Sequence, residues 1–328
     1  MKLTIDTLKN ITFGYEKIIE ENGFFTLVRF NDNELNAYKT YKDIDLYEKC
    51  FSQAGVRFSF ITNAEKLSFD YKLAKSSSRK FAYFDVYENG NLTNHFGISE
   101  FDSSINHIDI NLTSGEKHLE IYLPWSLKTD IANIEITDNA TIIPKKRNAS
   151  ILCYGDSITH GYDAIYPSLS YSSRIAKMLD CDIVNKAIGG EIFFPELAKA
   201  KNDKEYDIVT VAYGSNDWSK CSLDVFENNV KNFFLNLYNA NKNSKIFVIT
   251  PIRRGDTDRL PLIGVEFLKI HDIISNYATA YENIKVIKGI DLAPHFDEFY
   301  SDKYLHPNDL GFSIYAENLY KEILKNSL

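Results

Sequence analysis

No stretch of this chain approaches the ~20 consecutive apolar residues that a membrane-spanning helix needs. The first residues, MKLTIDTLKNITFGYEKIIEENGFF, have no basic start followed by an apolar block, so no leader is read there and a cytoplasmic protein is expected. Cations are in the minority: 37 Lys and Arg stand against 45 Asp and Glu, a net charge of −8. Such a surface repels phosphate backbones and acidic lipid, which argues against a nucleic-acid or membrane partner. Cysteine is scarce as well. Cys50, Cys153, Cys181 and Cys221 lie far apart, with no CxxC pair and no nearby histidine. No metal site, and no cofactor, is expected, and Cys153, inside an apolar run, reads as a buried thiol. Nothing sets the oligomeric state; a homo-oligomer is compatible with the composition.

What the chain does have is core-forming material. Its 328 residues are 44% hydrophobic and 14% aromatic, and that length favours two domains over one. The first part is rich in β-branched and aromatic residues that often alternate with polar ones. Phe58, Phe60, Phe69 and Tyr71 fit a period of two, and clusters such as Glu88-Asn89-Gly90-Asn91 and Thr113-Ser114-Gly115 separate the runs. Closely spaced strands with such turns predict a β-sandwich of jelly-roll type. The one helix expected there is a short one near 43–54.

After PKKRNAS (144–150), a basic, proline-led linker candidate, the texture changes. Apolar runs at 151–154, 181–184, 208–213, 246–250 and 284–287 alternate with amphipathic segments. Phe226, Val230, Phe233, Phe234 and Leu237 share one helical face, and Tyr315, Ala316, Leu319, Tyr320, Ile323 and Leu324 share another. Alternation of this kind predicts a parallel sheet covered on both sides, with functional residues at the carboxyl ends of its strands. The expected division is a β-sandwich domain at 1–145 and an α/β/α domain at 146–328.

Four short motifs follow these runs. In YGDSIT, Ser157 stands just past the first run, where it could cap a helix or act as a nucleophile. In NKAIGGE, two glycines could form a plain turn or bring a backbone amide close to a ligand. In YGSNDW, Asn216 could be a turn residue or donate its amide to an oxyanion. In SDKYLHPND, His306 follows Asp302 by four residues, as a general base follows its orienting acid. His160, three residues past Ser157, is expected to point elsewhere. His95, His107, His118, His271 and His295 are expected in core or surface roles.

In this order the four motifs resemble those of the SGNH (GDSL-type) hydrolase family over roughly residues 149–328. The resemblance implies that Ser157 attacks an ester carbonyl and His306 carries the proton. It also implies an oxyanion hole from the Ser157 and Gly190 backbone amides and the Asn216 side chain, with Asp156 and Asp217 bracing loops. One departure stands out: the family usually has aspartate three residues before the histidine, and that place is Lys303 here. Asp302 is taken as the acid, with Asp297, Glu298 or a backbone carbonyl as alternatives. No G-x-S-x-G elbow surrounds Ser157, against an α/β-hydrolase.

A strand-rich domain ahead of such a hydrolase resembles the jelly-roll arrangement of some carbohydrate acetylesterases. It implies a small-molecule or saccharide ester as substrate, with O-acetyl groups on sugars first in line. Trp218, Arg253 and Arg254 are the expected substrate-binding residues, packing or solvated roles being the competing readings. The alternatives are a broad aryl- or thioesterase, or a glycan-binding protein with a degenerate hydrolase domain.

Overall fold

The computed structural model describes residues 1–200, 204–259 and 261–327. Alternating burial builds the first part. In the strand Lys66–Ala74, Leu67, Phe69, Tyr71 and Leu73 turn inward while their neighbours face out. That strand lies in an antiparallel five-stranded sheet with Lys17–Glu21, Phe24–Val28, Lys128–Ile136 and Asn106–Asn111. A second antiparallel sheet holds Arg57–Thr62, Lys117–Tyr122, Ala82–Glu88 and Asn91–Ile98, with short pieces at its edge. Inward residues of both sheets, Phe58, Phe60, Phe84 and Ile121 against Leu67, Phe69, Ile108 and Ile131, form one core, so the unit is a sandwich.

The second part is a parallel sheet of five strands: β1 (Ala149–Gly155), β2 (Cys181–Asn185), β3 (Ile208–Ala212), β4 (Lys245–Ile249) and β5 (Ile284–Ile287). Each expected apolar run lies on one of them. Their order is β2-β1-β3-β4-β5. Leu152, Tyr154, Val209, Val211, Ile246 and Val248 face the helices Leu223–Ala240 and Phe267–Ala278. Ile151 and Cys153 face the helix Tyr171–Met178, while Phe247 and Ile249 face Asp309–Ser327. Three layers result, and the order reverses direction between β1 and β3, where ligands bind in such sheets.

The two parts are knitted together. Val28, Phe30, Leu35, Tyr38 and Cys50 lie in the same apolar cluster as Leu152, Tyr213 and Trp218. Lys186 and Glu34, both fully buried, pair at 2.6 Å across this junction. Burial pushes the Glu34 carboxyl up against the pull of that ammonium. The candidate linker is fastened: Arg147 binds Glu120 and the Tyr122 hydroxyl, and Ile143–Pro144 pairs with the strand Arg57–Thr62. A helix at Asp32–Tyr41 was not foreseen, although Asn31 and Glu34 form a reciprocal capping box that signals it. All four cysteines are buried and free, and among the described residues no helix is long and apolar enough to cross a membrane.

Candidate active site

Ser157 opens a one-turn helix, Ser157–His160, immediately after β1. The cap of that turn is Asp156, whose Oδ1 accepts the Ile158 N–H at 3.0 Å, so the Ser157 hydroxyl is not spent on capping. It lies instead 2.8 Å from Nε2 of His306. Ser157 is 6% exposed, enough to be reached from solvent while most of its surroundings are protein. Burial raises the Asp156 carboxyl to about 6.

On the other side of the imidazole, Nδ1 of His306 lies 2.7 Å from Oδ2 of Asp302. Oδ1 of the same carboxylate accepts the backbone N–H groups of Tyr304, Leu305 and His306 at 3.1, 2.8 and 3.0 Å. Partial burial would raise the Asp302 carboxyl, but the imidazole and these three amides outweigh it and hold the group far below the usual carboxylate range. The four-residue spacing is absorbed at Lys303, which takes a left-handed φ of 67° and folds the loop back. Neither alternative carboxylate is hydrogen-bonded to the imidazole: Asp297 binds Arg253, and Glu298 is exposed, with its backbone carbonyl accepting from Asn308.

A second carboxylate was not anticipated. Oδ2 of Asp163 lies 4.0 Å from Nδ1 of His306, and its Oδ1 is held at 2.6 Å by Arg79 from the sandwich. Arg79, Phe81, Asp163, Ile165, Ser301 and Asp302 line a hollow beside the imidazole. Asp163, Asp302 and His306 are also the one grouping among the described residues whose donors could share a metal ion. Those donors already serve Arg79 and the imidazole.

Gly189 and Gly190 follow β2 and reach the same edge. A side chain at Gly189 would collide with the Tyr162 ring, 2.4 Å from an ideal Cβ, and Gly190 has a φ of +91°. Both positions therefore require glycine. Among the described residues, no acceptor takes the Gly190 N–H. The Gly189 N–H donates to Nδ1 of His160 at 3.2 Å. His160 is thus a buried prop for this loop, and burial, reinforced by Arg29, lowers its pKa so that it stays neutral. Asn216, past β3, donates one amide hydrogen to the Glu191 carbonyl at 2.9 Å, which fixes the amide and leaves its second N–H. Asp217 accepts the Phe193 N–H at 3.0 Å, tying the Asn216 loop to the glycine loop.

The three expected substrate contacts are engaged by partners within the protein. Trp218 is 0% exposed: its indole N–H donates to the Val265 carbonyl, its ring packs on Phe267, and Arg254 and Arg259 cover it. No face is open to a sugar, because the helix Ser215–Lys220 turns this side chain into the core rather than the cleft. Arg254 is buried too, bound to Asp256 and the Ser215 carbonyl. Arg253 lies against Tyr300 and pairs with Asp297.

Residues 153–314 match the model of the GDSL-like Lipase/Acylhydrolase family. No curated protein matches the chain. Among solved structures, the salicylyl-acyltransferase SsfX3 from a tetracycline biosynthetic pathway superposes with a TM-score of 0.82 at 19% identity, over 97% of this chain and 94% of that one. A family two carbohydrate esterase from Clostridium thermocellum, in complex with cellohexaose, gives 0.66 at 15% identity, over 83% and 93% of the two chains. The acetyl xylan esterase Est2A from the rumen bacterium Butyrivibrio proteoclasticus gives 0.59 at 14%, over 83% and 89%.

Proposed function

From the premise that residues 153–314 form a GDSL-like lipase/acylhydrolase domain, which makes the protein an ester hydrolase, we propose that it cleaves short acyl esters through an acyl-enzyme on Ser157, with O-acetylated carbohydrate as the substrate class. The observation that carries this reading is the unbroken chain from the Ser157 hydroxyl through the His306 ring to the Asp302 carboxylate, at 2.8 and 2.7 Å.

The chemistry follows from the donors and acceptors. With Nδ1–H donated to Asp302, Nε2 presents a lone pair to the serine hydroxyl. As Oγ bonds to the ester carbon, Nε2 takes its proton and the carbonyl oxygen becomes an anion. The Ser157 N–H at the first helical position, the Gly190 N–H and the second Asn216 N–H are the donors that would hold that anion. The imidazolium then gives the proton to the leaving alcohol oxygen as the carbon–oxygen bond breaks. Water repeats the cycle on the acyl-enzyme and releases the acid. Asp302 stays ionised throughout and stabilises the imidazolium.

The carbohydrate part of the proposal is supported by the sandwich-plus-hydrolase arrangement common to this chain and the two carbohydrate esterases. Acyl transfer to an alcohol other than water is the second reading, favoured by the overlay with the acyltransferase across both parts of the chain. Acetate release from acetylated xylan, mannan and simple acetyl sugars, measured beside p-nitrophenyl acetate, tests the substrate. Loss of all release in Ser157→Ala is expected. Good aryl-ester turnover with no release from any saccharide overturns the carbohydrate assignment.

A further inference from the structure

The glycine loop is gripped by the sandwich side of the molecule at every other residue. Arg29 binds the carbonyls of Asn185 and Ala187, and Lys42 binds the Glu191 carboxylate. Between them, Lys49, at the end of the helix Ile44–Lys49, places its ammonium 3.0 Å from the Gly189 carbonyl oxygen. That carbonyl belongs to the peptide unit whose N–H is Gly190's. Its other charged partner is Asp45, one helical turn back and largely exposed. Lys49 itself is only 8% exposed, so the charge acts in a region where water screens little.

A cation on a carbonyl oxygen draws electron density out of the amide and makes the N–H at its other end a stronger donor. It also holds the plane of that peptide. We infer that Lys49 is a positioning residue for the reaction: it polarises and orients the Gly189–Gly190 peptide so that the Gly190 N–H binds the developing oxyanion. The inference rests on the reading of Gly190 as an oxyanion donor. It gives the first part of the chain a role in turnover besides any it has in substrate binding. The contact spans 140 residues of sequence, and the helix that delivers it is anchored by Leu46 and Tyr47 against the shared apolar core.

The test uses the full chain and steady-state hydrolysis of p-nitrophenyl acetate. Lys49→Met should lower kcat about tenfold with KM unchanged, since an interaction made in the transition state alone is weakened. Affinity for benzeneboronic acid, whose serine adduct is tetrahedral, should fall in parallel. Lys49→Arg, which keeps a cation, should retain most of the rate. Asp45→Asn removes the ion pair but leaves the ammonium on Gly189, and should keep the full rate. If Lys49→Met does not fold, Lys49→Gln keeps a neutral donor in place and reads the charge alone. Undiminished kcat in the neutral variants, or an equal loss in Asp45→Asn, overturns the inference while Ser157→Ala is inactive. Full turnover in Ser157→Ala overturns it together with the proposed function.

Discussion

Asp302 and His306 are joined twice, once through the ring at 2.7 Å and once through the histidine's own backbone N–H at 3.0 Å, and both bonds depend on the left-handed turn at Lys303. The carboxylate therefore sets the ring's tautomer and the path of the loop that carries it. A residue more than the usual spacing is accommodated because an αL residue reverses the chain within one step.

Asp302→Asn keeps the shape but can offer its NH2 to Nδ1, which would leave the proton on Nε2 and block it as a base. kcat on an aryl acetate should fall by about 10²–10⁴-fold with KM little changed. Because the imidazole and three backbone amides hold the carboxyl far below the usual carboxylate range, it stays charged at any pH at which the protein is assayed, and its protonation should not limit the rate. An Asp302→Asn variant with normal turnover would move the acid's role to Asp163, the other carboxylate near Nδ1.

Asn216→Ala removes one oxyanion donor and the brace to the Glu191 carbonyl. The expected loss is about 2.7–4 kcal/mol of transition-state stabilisation, read as kcat/KM, with the melting temperature close to that of the parent. Equal losses for ground-state binding and for kcat/KM would instead mark Asn216 as a simple substrate contact.

Trp218→Phe distinguishes packing from recognition. The indole is enclosed and its N–H is bonded to Val265, so the substitution should cost about 1–3 kcal/mol of stability by leaving that carbonyl unpaired and the site underfilled. KM for saccharide esters should not move. A raised KM at unchanged stability would return the side chain to the cleft.

Asp217 supplies a pH dependence of known sign. Burial raises its carboxyl to about 7, with one Phe193 N–H opposing the shift. Between the unfolded value near ~4 and 7 the folded protein binds the extra proton, so stability contributed by this group declines as pH rises across that window, by at most about 1.4 kcal/mol per pH unit. Asp217→Asn should remove that slope. Denaturant midpoints of parent and variant from pH 4 to 8 would therefore diverge in the variant's favour with rising pH, and parallel curves would contradict the assignment.

Much of this was legible in local sequence. Runs of four to six mostly apolar residues located the five parallel strands, and the faces of Leu223–Ala240 and Asp309–Ser327 were visible in their periodicity. The helix Asp32–Tyr41 was hidden by its polar composition, and only its capping pair betrayed it. Trp218 was misjudged because a position next to a motif says nothing about which way the side chain turns on a one-and-a-half-turn helix.

The order of residues along the chain determined which groups stand at strand ends, because a parallel sheet places every such end on one edge whatever the remainder does. Which of those groups meet was decided by tertiary structure alone. The nearness of Asp163 to His306, the burial of Trp218 and the reach of Lys49 to Gly189 depend on contacts between distant segments, whose geometry is set by packing a shared core rather than by any neighbour in sequence.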